Sequence, residues 1–248
     1  MSVRVFIDAG HGGRDSGATG NGMRESDIVL EVCGGLRERL LAAGAQVMMS
    51  READEFISID DRWRAARSFG ADYLVSVHAN AGGGTGAETF IAANRPGDAE
   101  FARAVNNPYA AAMGLRNRGV KLDTATFVGS LGLLRNSICP AILVELAFID
   151  SPAQNPDVDI LRNRRGDMAD ALAAAIIEFC GISRPSSIAN VPGRFQNIGE
   201  MPDWARPTVQ KLINRGLLRG DGEGLNLSED MVRIFVIHDR AGVFDKTA

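Results

Sequence analysis

Apolar and polar residues alternate from the start of the chain. Val3, Val5 and Ile7 share one side of a short segment, which predicts a strand over Val3–Asp8. The period then lengthens: Ile28, Val32, Leu36 and Leu40 recur every four residues, predicting a helix capped by Ser26, running to Ala43 and stopped by Gly44. Gln46–Ser50 reads as a second strand. Ser58, with Asp61 three residues on, resembles a capped start for a helix to Phe69 that Gly70 ends. Strand Asp72–His78, a glycine-rich loop Ala79–Gly86, strand Glu88–Ala92 and helix Ala99–Leu115 follow. Arg118–Leu134 has no clear period and suits a hairpin or an irregular loop. The most apolar run, Ala141–Leu146, predicts a buried strand with Glu145 inside it; Asp150–Asp159 reads as a loop and Asp167–Cys180 as a closing helix. This alternation predicts an α/β fold, a twisted, mostly parallel open sheet flanked by helices.

The pattern changes after residue 181. Ile182–Arg194, rich in Pro, Ser and Gly, reads as a linker. Asp203–Arg215 and Ser228–Arg240 predict two helices, each followed by a glycine, Gly216 or Gly242. The turn Asp221–Gly224 between them lacks the pattern of a calcium loop. The expected organisation is a core domain over 1–181, a linker over 182–194 and a small helical domain over 195–248. Two short helices enclose little core. Trp204, Leu212, Ile213, Ile234 and Phe235 are therefore expected to stay partly exposed, and the segment to pack on a partner, on a second copy as a homo-oligomer, or on the first domain.

Composition narrows the classes. With 45% hydrophobic residues, 6% aromatics and a formal charge of −4, the chain has the core material of a globular protein and no basic face for nucleic acid. It contains no run of about 18 apolar residues, so no membrane insertion is expected. The first strand follows Met1-Ser2 directly, and the expectation is synthesis in the cytoplasm without a signal peptide. Cys33, Cys139 and Cys180 match no zinc or redox spacing and read as buried free thiols.

Two of the three histidines, His11 and His78, end predicted core strands, and Glu145 lies near the corresponding end of a third. Parallel strands would bring these side chains to one sheet edge, with Glu25 entering from the loop before the first helix. Two histidines and a carboxylate suit zinc and leave a coordination position for water; a further carboxylate could act as general base. Each histidine could instead be a structural group, and Glu25 could simply favour the helix dipole. Glu145 is harder to assign to structure, because a carboxylate in an apolar strand is costly unless paired or working. Gly10-His11-Gly12-Gly13 is not a phosphate cradle of the P-loop kind, since no Lys-Ser/Thr follows.

Three ordered motifs carry a resemblance. Asp8-Ala9-Gly10-His11-Gly12-Gly13 with Asp15-Ser16-Gly17-Ala18, then Ser76-Val77-His78-Ala79-Asn80, then Pro140-Ala141-Ile142-Leu143-Val144-Glu145 with Phe148, resemble the zinc-dependent N-acetylmuramoyl-L-alanine amidases of type 3, a family of bacterial autolysins and phage endolysins. Arg51, Asp54, Asp61 and Arg62 also fall where that family has such residues. The resemblance covers about residues 3–181. It implies that His11, Glu25 and His78 bind Zn2+, that Glu145 is the catalytic carboxylate, and that the substrate is bacterial peptidoglycan, cut between N-acetylmuramic acid and L-alanine. Asn80 and Arg135 are candidates for positioning substrate or for structural roles. A phage endolysin that reaches the wall after release is the expected role; an autolysin of the same activity, or a non-catalytic wall-binding protein on the same scaffold, are the alternatives. Pro202-Asp203-Trp204-Ala205, Val209–Ile213, Gly216–Gly220, Leu227-Ser228 and Arg233 resemble one S-layer-homology repeat, which implies wall targeting for residues 195–248.

Overall fold

The structure is a computed structural model and describes residues 2–183, 194–219 and 224–244. Strand β1 (Arg4–Ala9) alternates, with Val5, Ile7 and Ala9 in one apolar cluster and Phe6 in another across the sheet. A short antiparallel pair, β2 (Thr19–Gly20) and β3 (Met23–Arg24), leads into α1 (Glu25–Ala42). Ser26 therefore caps nothing: it lies in the first turn, its hydroxyl buried and without a hydrogen-bond partner. Glu25 is not a loop residue but the first residue of the helix, where a negative charge meets the positive end of the dipole. After β4 (Gln46–Met49), α2 (Ile59–Phe69) starts and stops on its predicted signals: Ser58 accepts the Asp61 amide at 3.1 Å, and Gly70 takes a left-handed φ of 69°.

Next come β5 (Tyr73–Asn80), β6 (Ala87–Ile91), α3 (Ala99–Met113), β7 (Asn117–Leu122), α4 (Gly132–Arg135), β8 (Ala141–Phe148), α5 (Pro156–Asn163) and α6 (Arg165–Cys180). The ambiguous stretch thus holds an edge strand, an irregular segment over 123–131 with a 3-10 turn at Asp123–Ala125, and most of a short helix. The expected loop Asp150–Asp159 already contains the start of α5. There the Asn155 side chain accepts the Asp157 amide at 2.9 Å and Pro156 fills the first helical turn. The residues that suggest a loop also write a helix start.

The six long strands form one sheet in the order β4-β1-β5-β8-β6-β7. β4, β1, β5 and β8 are mutually parallel; β6 runs antiparallel to β8 and carries β7 parallel to itself. One face packs on α1, α3 and α6 through residues such as Ile28, Leu36, Phe101, Tyr109, Leu172 and Ile176. The other packs on α2 and α4 through Ala66, Leu133 and Leu134. Burying a side chain such as Ile28 or Leu36 contributes about 1.5–3 kcal/mol. Cys33 and Cys139 are buried free thiols, while Cys180 is only half-buried.

The chain divides into two compact units at residues 184 and 185, inside the expected linker, whose residues 184–193 lie outside the described ones. The expected turn residues Asp221–Glu223 also lie outside them. The second unit is not purely helical. β9 (Arg194–Phe195) pairs antiparallel with β10 (Leu227–Ser228), beside α7 (Arg206–Asn214) and α8 (Glu229–Arg240). Met201, Ala205, Val209, Leu227, Val232 and Val236 make its core. Leu212 is buried, contrary to expectation, whereas Trp204 and Ile234 are exposed. Among the described residues no helix is long and apolar enough to cross a membrane.

Candidate metal centre

The turn after β1 carries His11 with φ of 60°, a left-handed conformation that costs a non-glycine residue about 1–2 kcal/mol. Two buried arginines hold this turn. Arg51 donates to the Ala9 and Gly10 carbonyls at 3.0 and 2.8 Å, and to Ser26 in α1 at 2.8 Å. Arg62 of α2 donates to the Ala9 and His11 carbonyls at 2.6 and 2.7 Å. Arg62 also pairs with Asp8 at 2.7 Å, and Ser76 donates to the other Asp8 oxygen at 2.6 Å. Burial opposes ionisation of Asp8, but Arg62 and Ser76 overcome it and hold its carboxyl below the usual range.

Parallel pairing of β1 with β5 brings His78 beside this turn. The first turn of α1 delivers Glu25. Its Oε1 lies 3.1 Å from His11 Nε2 and 2.9 Å from His78 Nδ1, and those two nitrogens are 3.1 Å apart. Tetrahedral coordination at about 2.0–2.1 Å sets donors roughly 3.3 Å apart, so the three atoms fit one face of such a site. Glycines make the room: a Cβ on Gly17 would sit 2.6 Å from both Glu25 Oε2 and the His11 ring, and one on Gly10 would enter the His78 ring.

Neighbouring groups fix each donor. Asp15 accepts from His11 Nδ1 at 2.9 Å, turning Nε2 inward, and accepts the Gly17 amide at 3.0 Å. Glu25 Oε1 also accepts the Ala79 amide at 3.0 Å, and Oε2 the Ala18 amide at 2.8 Å. Burial disfavours a charged His11, yet the hydrogen bond and charge of Glu25 raise it to about 9. His78 is raised in the same way, against its burial. Glu25 is driven well below the usual carboxylate range because both histidines outweigh its burial. The pocket thus stabilises positive charge at its centre, as a cation site requires.

Glu145 stands next in the sheet, paired in register with His78 on one side and with Glu88 on the other. Its Oε2 is buried and has no hydrogen-bond partner. Its carboxyl is raised to about 7: burial is the largest cause, the charge of His78 opposes it, and the like charges of Glu25 and Glu88 add to it. A carboxyl so placed can take and return a proton near neutrality.

A family profile, N-acetylmuramoyl-L-alanine amidase, matches residues 5–178, which contain all four of these side chains. The chain belongs to this amidase family. The sporulation-specific N-acetylmuramoyl-L-alanine amidase of Bacillus subtilis is 39% identical over 152 residues, 60% of this chain and 57% of that relative. The endolysin of Bacillus phage SPP1 is 35% identical over 203 residues, 75% of this chain and 69% of the phage protein. The solved catalytic domain of CwlV, an N-acetylmuramoyl-L-alanine amidase from Bacillus (Paenibacillus) polymyxa var. colistinus, aligns with a TM-score of 0.66 at 28% identity, over 73% of this chain and 99% of that domain. The chain therefore spans under two thirds of the sporulation enzyme's length.

The two remaining candidates stand outside the cluster. Asn80 ends β5; its Nδ2 donates to Glu88 at 2.7 Å and its Oδ1 accepts the Ala81 amide at 2.9 Å. Arg135 of α4 donates to Asp123 at 2.5 and 3.1 Å and holds that carboxyl down to about 2. Sequence reasoning assigned no role to Asp15, Arg51 or Arg62. Their signal was present, since all three stand in stretches shared with the family, but only the fold shows what they touch.

Proposed function

We propose that this amidase-family domain hydrolyses the amide between the lactyl group of N-acetylmuramic acid and the L-alanine of the stem peptide in bacterial peptidoglycan. The observation that carries the reading is the meeting of His11 Nε2, Glu25 Oε1 and His78 Nδ1 within 3.1 Å of one another, with the unpartnered Glu145 carboxyl on the adjacent strand. Zinc is the ion these nitrogen and carboxylate donors suit, and when bound it would polarise the scissile carbonyl and acidify water beside it. Glu145 takes the proton of the attacking water and returns it to the departing alanine nitrogen. Asp15 keeps the His11 ring in the ligating orientation, and Arg51 with Arg62 hold the turn that carries it. The products are a lactyl carboxylate and a peptide with a free N-terminal alanine.

Within this activity we read the chain as a phage-type endolysin rather than an autolysin. In support, the likeness to the SPP1 endolysin runs over 203 residues, against 152 for the sporulation enzyme. For residues 195–248 we propose wall targeting, supported by the S-layer-like sequence pattern. Digestion of purified walls tests the activity: new N-terminal alanine with unchanged reducing power is expected, and new reducing sugar ends without alanine would overturn it.

A further inference from the structure

The metal donors stand between two chemically unlike surfaces of the first unit. Towards β1, α2 and α4 lies a cavity of about 370 Å³, a size that seats a small organic group. His11 and His78 form one wall; Phe56, Ile59, Val128 and Leu131 form much of the rest. The charged side chains that line it are already paired, Asp8 with Arg62 and Asp15 with His11, so an occupant meets no free charge. Phe56, Ile59 and Val128 are nevertheless exposed, and the Arg14 guanidinium lies 3.9 Å from the Phe56 ring centre. Exposed apolar side chains gathered at a cavity beside a reactive centre mark a ligand surface rather than a core.

Towards β6 and β7 the surface is cationic. Glu88, opposite Glu145 in register, accepts from Arg118 Nε and Lys121 Nζ, each at 2.5 Å. Two partly exposed cations share one carboxylate, which leaves positive charge on that side.

We propose that the cavity is the subsite for the N-acetylmuramoyl side of the scissile bond, and that the stem peptide runs from the metal towards Arg118 and Lys121. The proposal rests on the amidase reading above. The acyl side of that amide carries a sugar ring, an acetamido group and a lactyl methyl, and before cleavage it bears no charge. The amine side continues into a peptide with free carboxylates. A carboxylate among Ile59, Val128 and Leu131 would lose its water, and the nearby Arg14 guanidinium is stacked on the Phe56 ring rather than placed in the cavity lining. On the β6–β7 side a carboxylate meets cations with which it can form charge-assisted hydrogen bonds. Water adds to the lactyl carbonyl carbon and the C–N bond breaks. The cavity is then left with N-acetylmuramic acid and the cationic side with the amine of the peptide.

The two product halves can be titrated separately by NMR into the wild-type protein and into Val128→Trp, an exposed loop variant that narrows the cavity. Phe56→Ala, which strips its wall, is the second variant. N-acetylmuramic acid is expected to bind at least tenfold more weakly to both variants, while an alanyl-glutamate dipeptide keeps its affinity. The assignment is overturned if the dipeptide is the ligand that weakens, if both weaken equally, if neither changes, or if wild-type protein binds no N-acetylmuramic acid. Release of N-terminal alanine from muropeptides by the wild type reports separately on the amidase reading.

Discussion

Asp8 is 1% exposed, and its carboxylate is held by Arg62 and Ser76 beneath the turn that presents His11. Arg62→Met leaves that charge buried without its cation, at a cost of about 3–5 kcal/mol. Urea unfolding should register the loss, and Asp8→Asn added to Arg62→Met should recover part of it; a double variant no more stable than the single one would contradict the pairing. Glu145 makes the opposite prediction. Its carboxyl is raised from 4.5 to about 7 by burial, so the folded state binds the proton more tightly than the unfolded chain. Stability from this group is present below about pH 4.5 and is lost as pH rises through 7. In metal-free protein, Glu145→Gln should raise the unfolding free energy at pH 8 by an amount on the order of 3 kcal/mol, with little effect at pH 4.5, as urea unfolding would read it. The same variant should lose about 10²- to 10⁴-fold in amide hydrolysis. Equal stabilisation at both pH values would show that Glu145 is not held neutral by its surroundings. That His11 and His78 would meet was legible in the sequence because both ended apolar strands. The Asp8–Arg62 pair was not, because a buried ion pair leaves no trace in periodicity when its members are 54 positions apart.

Asp157 shows how an element can hide in polar sequence. It lies in the first turn of α5, and its Oδ2 accepts the amides of Gly86 and Phe148, both at 2.8 Å, while Oδ1 accepts the Thr85 hydroxyl at 2.7 Å. Asp157→Ala strands two backbone donors, each worth about 1–3 kcal/mol when buried unsatisfied. Chemical denaturation should show a loss of roughly 3 kcal/mol, and a change below 1 kcal/mol would mean that water replaces the carboxylate. The stretch Asp150–Asp159 looked like loop because Asn, Pro and Asp serve loops and helix starts alike. β7 was obscure for a different reason. As an edge strand it buries no residue fully, so Arg118, Gly119 and Lys121 break any alternation while supplying the partners of Glu88.

At the scale of the molecule, the mostly parallel sheet followed from alternating strands and helices, but the reversal at β6 did not. The Ala81–Gly86 segment is too short for a crossover helix, so the chain turns back and β6 pairs antiparallel with β8. Strand spacing alone leaves open which neighbour β6 will find. The second unit was expected to leave Leu212 partly exposed, whereas it is buried and the β9–β10 pair helps close a small core of its own. Each unit having its own apolar cluster, a chain ending at residue 184 should fold, with an unchanged far-UV spectrum per residue for the first unit, and should cleave soluble muropeptides. It should lose activity on intact walls; undiminished lysis by that truncation would remove the targeting role.

The most direct test of the central claim is cleavage of an N-acetylmuramoyl peptide in ¹⁸O-water, followed by mass spectrometry of both products. Label in the lactyl carboxylate of the sugar and none in the peptide is expected, with turnover lost after chelation and restored by zinc. Label in a peptide carboxylate with none in the lactyl carboxylate, or turnover indifferent to chelation, would contradict it.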